Sequence, residues 1–459
     1  MYRKATKYIL LGLAIATGIA HAQTASSTQQ EIDQLKQQVE QLSQKQKADE
    51  AAAAKAASSS NGSSSSNPSN ASVTADEHGF TIKSNDGDFS LNIGADIQVD
   101  NRAFSGPALT VLPDTLLLRR ARPVFQGTIY KYIDYFIRPD FGKGTVAIYD
   151  AYAELKYFSF AKLRAGKFKT PIGLERLQGD DDTTFVERGL PSLLVPQRDI
   201  GIQLAGDIVT KRLGYQVGVF NGVPDATLTD AATGDHRDYA ARLFATPFAP
   251  DKTNPLKGLG FGLGFTGGNV DGEALPSYST FGQNSFFTFA SGVTEAGHRT
   301  RLQPQLYYYL KGFGLLSEYG KNEEGLQKGT FRTDAAFTAW QVETSYIVTG
   351  EDKGFGAAAP RRNFDPKHNG WGEWELAFRV GGFAADHAIF TDGFATATAT
   401  PRELHEVVGG VNWYLNRLFK IDVDYGHTNF GGGNTIALGG NRPAEKVLTI
   451  RFQINFVGS

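Results

Sequence analysis

Eleven residues near the C terminus, Lys446 to Phe456, limit what this chain can fold into. Leu448, Ile450, Phe452, Ile454 and Phe456 alternate with Val447, Thr449, Arg451, Gln453 and Asn455. Side chains of a strand point to opposite faces with period two, so the two sets lie on opposite faces. An apolar face backed by a polar one over this length, closed by an aromatic, fits a transmembrane β-barrel strand with lipid outside and water inside. It also fits an amphipathic strand of a soluble barrel or sandwich. The rest of the chain has to decide.

The first 22 residues read as an export signal. Arg3, Lys4 and Lys7 make a basic start, Tyr8 to Ile19 is a mostly apolar run, and Ala20-His21-Ala22 is a cleavage site, so a mature chain beginning at Gln23 is expected. A retained membrane anchor is the alternative. Later in the chain no stretch approaches the roughly 20 apolar residues of a membrane helix. There is no cysteine, which excludes disulfides and thiolate metal sites. Mean hydropathy is −0.28, a value compatible with a barrel because each barrel strand is half polar. A net charge of −2 gives no basic field for nucleic acid.

Ile32, Leu35, Val39 and Leu42 follow heptad a/d spacing, so residues 23–47 are expected to form a short coiled-coil helix, marginal alone and more sensible where an oligomer holds copies together. A solvated helix with a chance seam is the plainer reading. Residues 48–75, rich in Ala, Ser and Asn, read as a flexible linker, and residues 76–459 as the barrel domain.

From Phe80 onward the pattern is strands. About sixteen alternating segments lie near 89–100, 116–129, 130–141, 146–157, 162–169, 200–208, 213–220, 237–247, 259–267, 299–309, 312–320, 336–348, 373–382, 405–415, 419–428 and 446–456. The fold class expected is an all-β transmembrane barrel of about 16 antiparallel strands, within the range of water-filled porins. Thr170 to Arg198 lacks alternation and follows the fifth strand, which makes it the third outward loop. A stretch this long is normally functional, and in a wide barrel it can fold inward. Gly268 to His298 and Phe383 to Arg402 read as further long loops.

Alternation also sorts the charges. Arg120 and Arg122 share a face with Gln126, Arg242 with Asp238, and Arg299 and Arg301 with Gln303 and Gln305. All five point into the lumen if the apolar face meets lipid, where an arginine would cost about 2–4 kcal/mol at the midplane. Asp96, Asp134, Asp150, Glu154, Glu318, Glu343, Glu373, Asp422 and Asp424 fall on polar faces too. These charges could simply solvate a wet lumen and pair across it. The sharper hypothesis is an arginine wall facing the inward loop and setting an anion preference.

Several segments together resemble the phosphate- and polyphosphate-selective outer-membrane porins. They are Leu118-Arg119-Arg120-Ala121-Arg122-Pro123, Leu163-Arg164-Ala165-Gly166-Lys167-Phe168 leading to Gly173-Leu174-Glu175-Arg176, Phe185-Val186-Glu187-Arg188, Arg198-Asp199-Ile200-Gly201, Gly297-His298-Arg299-Thr300-Arg301, Thr349-Gly350-Glu351-Asp352 and Gly410-Val411-Asn412-Trp413-Tyr414-Leu415. The resemblance implies a sixteen-stranded barrel, a homotrimer, and an arginine ladder descending to lysines at a constriction that bind phosphate in transit. It matches Arg119 and Arg120 to the ladder's paired arginines, Arg242 to a wall arginine, Arg299 and Arg301 to an arginine-rich segment, and Arg176 to the constriction-loop lysine. Departures stand at Asp96 in place of a ladder arginine, Asp134 in place of a second constriction lysine, and Asp180-Asp181-Asp182 in the loop, all of which would repel phosphate. Val457-Gly458-Ser459 also follow Phe456, where such barrels commonly end on the aromatic.

Motifs for phosphate-cradling loops, nucleophilic serines or zinc are missing, so neither an enzyme nor a cofactor is expected. His405-Glu406 reads as a wet-face pair rather than metal ligands. Asp180-Asp181-Asp182 could take a divalent cation, but a solvated acidic loop is the plainer reading. The expected function is passive diffusion of small hydrophilic solutes, anions such as phosphate foremost. The pore would be lined by Arg119, Arg120, Arg122, Arg176, Arg242, Arg299 and Arg301. The constriction loop would carry Glu175, Asp180, Asp181, Asp182, Glu187, Arg188 and Arg198. Expected partners are two further copies, outer-membrane lipid and small anions, with the N-terminal segment in the periplasm and able to reach the cell wall. A general or weakly cation-selective porin, an adhesin, or a barrel whose stalk tethers the envelope, are the alternatives.

Overall fold

The computed structural model describes residues 40–41, 44, 71–106, 113–230, 235–356, 358–395, 400–431, 435–436 and 440–457. The chain divides into two units at Pro68/Ser69. In the first, Glu40, Gln41 and Gln44 are helical. The signal peptide at 1–22, the remainder of the coiled-coil reading and the linker as far as residue 70 lie outside the described residues.

In the second unit an antiparallel sheet closes on itself as a sixteen-stranded wall. The strands are β1 (Ser90–Ser105), β2 (Thr115–Ile129), β3 (Ile133–Asp140), β4 (Ala147–Phe158), β5 (Ala161–Phe168), β6 (Asp199–Val209), β7 (Leu213–Phe220) and β8 (Asp238–Ala245). There follow β9 (Leu259–Glu273), β10 (Val293–Leu310), β11 (Phe313–Lys328), β12 (Phe331–Ile347), β13 (Glu373–Ala385), β14 (Glu403–Tyr414), β15 (Phe419–Gly431) and β16 (Glu445–Asn455). Closure runs through β16 and β1, with Arg451 opposite Asp100 and Gln453 opposite Gln98. A closed ladder pairs the backbone of every wall strand, which hydrocarbon demands and which leaves no sheet edge. A hairpin of Ser72–Asp76 and Gly79–Lys83 precedes the wall and pairs with β1 at Phe80 and Ile93. It starts inside the segment read from sequence as linker. Among the described residues no helix is long and apolar enough to cross a membrane.

The two faces of β16 behave as the alternation requires. Val447, Thr449, Arg451 and Gln453 are buried toward the lumen, while Leu448, Phe452 and Ile454 remain exposed on the outside. The wall is not of even height. β3, β5, β7 and β8 have 8 residues each, whereas β10, β11 and β12 have 18, 16 and 17.

The expected strand and loop limits need correction here. Residues 268–273, 293–298 and 321–335 fall almost wholly within β9 to β12 rather than in loops. Their alternation is inverted: Asn269, Asp271, His298 and Glu323 are exposed outside, while Val270, Leu326, Ala335 and Phe337 are buried inside. A strand portion with water outside and packed loops inside has its apolar face inward, so a search for lipid-facing residues passes over it. Those packed loops are 274–292, with a ribbon of Tyr278–Ser279 and Ser285–Phe287, and the described parts 386–395 and 400–402 of the next, with a short helix Ala388–Thr391. Tyr278, Phe287 and Ile389 from these loops bury against Phe337, Phe383 and Leu404 of the wall, and Leu190 and Leu194 of loop 170–198 join the same cluster.

Candidate functional site

Loop 170–198 folds into the barrel and crosses to the opposite wall. Gly173, at φ 83, makes the turn into a short helix Leu174–Leu177, a conformation that favours glycine. The Glu318 carboxylate on β11 accepts the N–H groups of Leu174 at 2.5 Å and Glu175 at 3.3 Å. Asp424 on β15 accepts the Val186 N–H at 2.8 Å. From the wall, Lys420 donates to Thr183 O at 3.0 Å, Asn412 to Thr184 O at 2.7 Å, Arg451 to Val186 O at 2.5 Å and Arg379 to Glu187 O at 2.9 Å. Loop backbone that would otherwise hydrogen-bond water is therefore satisfied by wall side chains. Glu318 and Asp424, sequence-predicted lumen acids, act as clasps for the loop.

Facing the loop stands the arginine wall. Gln98 of β1 pairs with Arg120, but Val99 pairs with Leu118, so Arg119 is the extra residue of a β-bulge. Strict alternation would send Arg119 outward. The bulge turns it in, and Arg119, Arg120 and Arg122 are all buried on the lumen side. Together with Arg176, Arg188 and Arg198 they line a cavity of about 120 Å³ that also contains Asp180 and Glu187. Glu187 takes Arg119 through two bonds, at 2.7 and 2.9 Å, and Arg102 at 2.8 Å. Asp180 bonds Arg122 and Arg188, with Arg198 at 3.8 Å and Arg120 at 4.0 Å. Burial alone would raise both loop carboxyls. For Asp180, Arg188, Arg122 and Arg120 outweigh it, and for Glu187, Arg119, Arg102 and Arg451 do, holding both well below the usual carboxylate range.

Two arginines of the cavity have no carboxylate within hydrogen-bond distance among the described residues. Arg120 bonds Gln98 Oε1, and Arg176 bonds Ser192 O. The Nε of each has no hydrogen-bond partner among the described residues, and that of Arg120 stands 4.0 Å from Asp180. Burial beside Arg188 and Arg198 lowers the Arg176 guanidinium to about 9, still cationic at neutral pH.

The remaining sequence-predicted residues separate into distinct places. Arg299 and Arg301 face inward but are tied into a carboxylate network: Arg299 meets Asp238 at 3.0 Å and Glu295 at 2.5 Å, and Arg301 meets Asp225 at 2.6 Å and Asp238 at 2.8 Å. This network pins the segment after β7 to the wall. Arg242 donates to Gln305 Oε1 at 2.9 Å and Gln216 Oε1 at 3.2 Å. Glu175 accepts the Gly189 N–H at 2.8 Å inside the loop, and Arg198 bonds Asp150 at 2.8 Å. Asp96 is buried 4.0 Å from Arg122.

Other expectations are corrected. Asp134 is not at the constriction: it pairs with Lys156 at 2.6 Å in a separate cavity with His78 and Asn92, at the foot of β1 to β5. Asp180-Asp181-Asp182 is not a solvated acidic run, because Asp180 is 3% exposed among its arginines and Asp181 accepts from Gln453 and Asn455. Burial with Asp181 alongside raises the Asp182 carboxyl to about 7. His405 and Glu406 are not a wet-face pair: Glu406 is buried inward against Arg379 at 3.3 Å, while His405 is exposed on the other face.

Sequence reasoning missed Arg102, Arg379, Arg451 and Lys169 as site residues. Arg379 and Arg451 were within reach, since parity puts both on polar faces. Arg102 lies past the end assigned to its strand, and Lys169 is the first residue after β5.

A closed wall with an apolar outer face, a polar lumen and a loop folded into it defines a porin of the bacterial outer membrane. The sequence profile of phosphate-selective porin O and P matches residues 89–456, and this chain belongs to that family. Porin O of Pseudomonas aeruginosa is 23% identical over 390 residues, covering 76% of this chain and 84% of the relative. The outer membrane channel DcaP of Acinetobacter baumannii has the same fold, with a TM-score of 0.53 at 9% identity over 82% of this chain and 99% of that one. The anion-selective porin from Comamonas acidovorans matches with a TM-score of 0.51 at 10% identity, over 80% of this chain and 100% of that one. The chain is thus a passive outer-membrane channel.

Proposed function

We propose that this porin passes small anions, phosphate foremost, through the cavity between the arginine wall and loop 170–198. The charge imbalance carries the reading: six arginines line the cavity against two carboxylates. An anion there meets guanidinium donors already fixed in place, which offsets part of its lost hydration without rearrangement. Asp180 and Glu187 take up part of the positive charge, so the ion is held weakly enough to leave. The family is described as phosphate-selective and the Comamonas porin as anion-selective, and both agree with this sign.

We also read the protein as a homotrimer joined through the low wall β3 to β8. A bilayer crossing takes about 9–11 tilted strand residues, more than β3, β5, β7 and β8 provide. Outward Ile137, Leu163, Ile202 and Val217 are exposed there, and neighbouring copies would cover them. Sixteen strands leave both ends of the barrel on one side, which supports placing residues 23–47 in the periplasm, where their coiled-coil seam would bind three copies together and could reach the cell wall.

The test is the reversal potential of the purified protein in a planar bilayer under a KCl gradient, followed by titration with phosphate and pyrophosphate. An anion-selective current blocked by phosphate, with the block lost in Arg120→Ala and Arg176→Ala, is expected. A cation-selective current would leave the porin and remove the anion site.

A further inference from the structure

Below the constriction loop the lumen carries something that inorganic phosphate does not need. Phe136 on β3 and Tyr152 on β4 occupy the inward face opposite each other and stack, with centroids 5.5 Å apart and planes at 11°. Tyr152 meets Phe168 edge-on at 5.9 Å. The Arg164 guanidinium lies 4.2 Å over Tyr152 and 5.4 Å over Phe168. Phe136 and Tyr152, with Arg164, Arg242 and an Asp150 already paired to Arg138 and Arg198, line a cavity of about 330 Å³ beneath the loop, and Phe168, buried against Phe220 and Ala240, backs Tyr152 there. Water-filled lumens are lined by polar side chains, so the half-buried rings of Phe136 and Tyr152 cost hydration there unless something apolar covers them.

The charges beside the rings complete the site. Arg164 is partly neutralised by Glu154 at 2.7 Å. Arg242 is not: its contacts are the two glutamine amide oxygens, and no carboxylate lies within 4.0 Å of it among the described residues. Its guanidinium rests 4.4 Å over Phe244, which continues to Tyr307 at 5.3 Å. Arg242 is thus a cation held at the edge of an aromatic surface with spare donor capacity. A small hydrated oxyanion uses the cation and gains nothing from the rings. An anion with a flat apolar body uses both, its charge on the guanidinium and its ring on the aromatic faces.

We propose that the lumen beneath the constriction loop is a binding track for small aromatic carboxylates, with Arg242 taking the carboxylate and Phe136 and Tyr152 taking the ring. This rests on the anion-channel reading above. Phosphate and aromatic carboxylates would then share the channel while preferring different levels of it.

The experiment uses the full protein in a planar bilayer carrying chloride, with benzoate, cyclohexanecarboxylate and acetate added in turn. Benzoate should half-block the chloride current at a concentration about tenfold below acetate, with cyclohexanecarboxylate nearer to acetate. Tyr152→Leu, and separately Phe136→Leu, should shrink the benzoate-to-acetate ratio by about threefold or more, and Arg242→Gln should weaken block by both ions. The wild-type comparison needs no variant to fold. A chloride current on which benzoate acts no better than acetate would overturn this proposal alone. Equal block by benzoate and cyclohexanecarboxylate would overturn the aromatic assignment. A cation-selective current indifferent to all three would overturn both this and the anion-channel reading.

Discussion

Arg119 and Glu187 form a two-bonded ion pair, Nε to Oε1 at 2.7 Å and Nη2 to Oε2 at 2.9 Å, that fastens the inward loop to the arginine wall. The same carboxylate takes Arg102, and the backbone carbonyl of Glu187 takes Arg379. One loop residue therefore joins β1, β2 and β13, and it also cancels positive charge that a passing anion would otherwise feel.

Glu187→Gln removes one of the two carboxylates lining the cavity while keeping the side chain's size. Two charges 4 Å apart interact by several kcal/mol at an effective dielectric near 20, so even about 1 kcal/mol left after screening changes anion occupancy about fivefold. The reversal potential should move further toward chloride and phosphate should block at lower concentration. An unchanged reversal potential would show that Glu187 is a fastener only.

Glu318→Ala takes away the acceptor of the Leu174 and Glu175 N–H groups. Losing a buried acceptor costs about 1–3 kcal/mol locally. The expected outcome is a noisier open channel, with current fluctuations in the variant that wild type lacks and the barrel still folded on an unheated gel. A quiet trace would mean that the remaining clasps suffice.

Asp182 supplies a pH dependence. Its carboxyl, raised to about 7 by burial and by Asp181, is neutral below that pH and a carboxylate above it. Anion selectivity should therefore fall as pH rises from 6 to 8, because negative charge is added at the loop. Asp182→Asn should flatten the profile at its low-pH level. A wild-type profile flat across this window removes Asp182 from the argument.

Ile202→Arg tests the low wall. Ile202 is 57% exposed on the outside of β6. An arginine there costs about 2–4 kcal/mol against lipid at the midplane and would disrupt the apolar contact between copies proposed above. Oligomer bands on unheated gels should convert to monomer, whereas Leu448→Arg on the far side of the sheet order should insert poorly without that specific loss. Intact oligomers in Ile202→Arg would place the interface elsewhere.

How much of this was legible in the chain depends on which solvent a residue faces. Leu448, Phe452 and Ile454 opposite Thr449, Arg451 and Gln453 fix a strand with lipid on one side, and repetition of that pattern fixes the barrel, because period-two alternation is local and lipid outside is a uniform condition. The same alternation sends Arg120, Arg122 and Arg242 inward. It fails at Val270, Leu326 and Phe337, where the outside is polar and the inside is packed with loop side chains. It fails again at Arg119, where one extra residue in a strand reverses the face. What the tertiary structure alone decided is which charges are neutralised. Asp180 and Glu187 lie 58 and 68 residues from Arg122 and Arg119, on a loop whose path no local pattern specifies. Only once that loop crosses the lumen do Asp180 and Glu187 meet their arginines, while Asp225, Asp238 and Glu295 gather about Arg299 and Arg301 from other segments, and Arg176 and Arg242 keep no carboxylate within 4.0 Å among the described residues. Coulomb attraction depends on distance through space, and a period read along the chain carries no such distance.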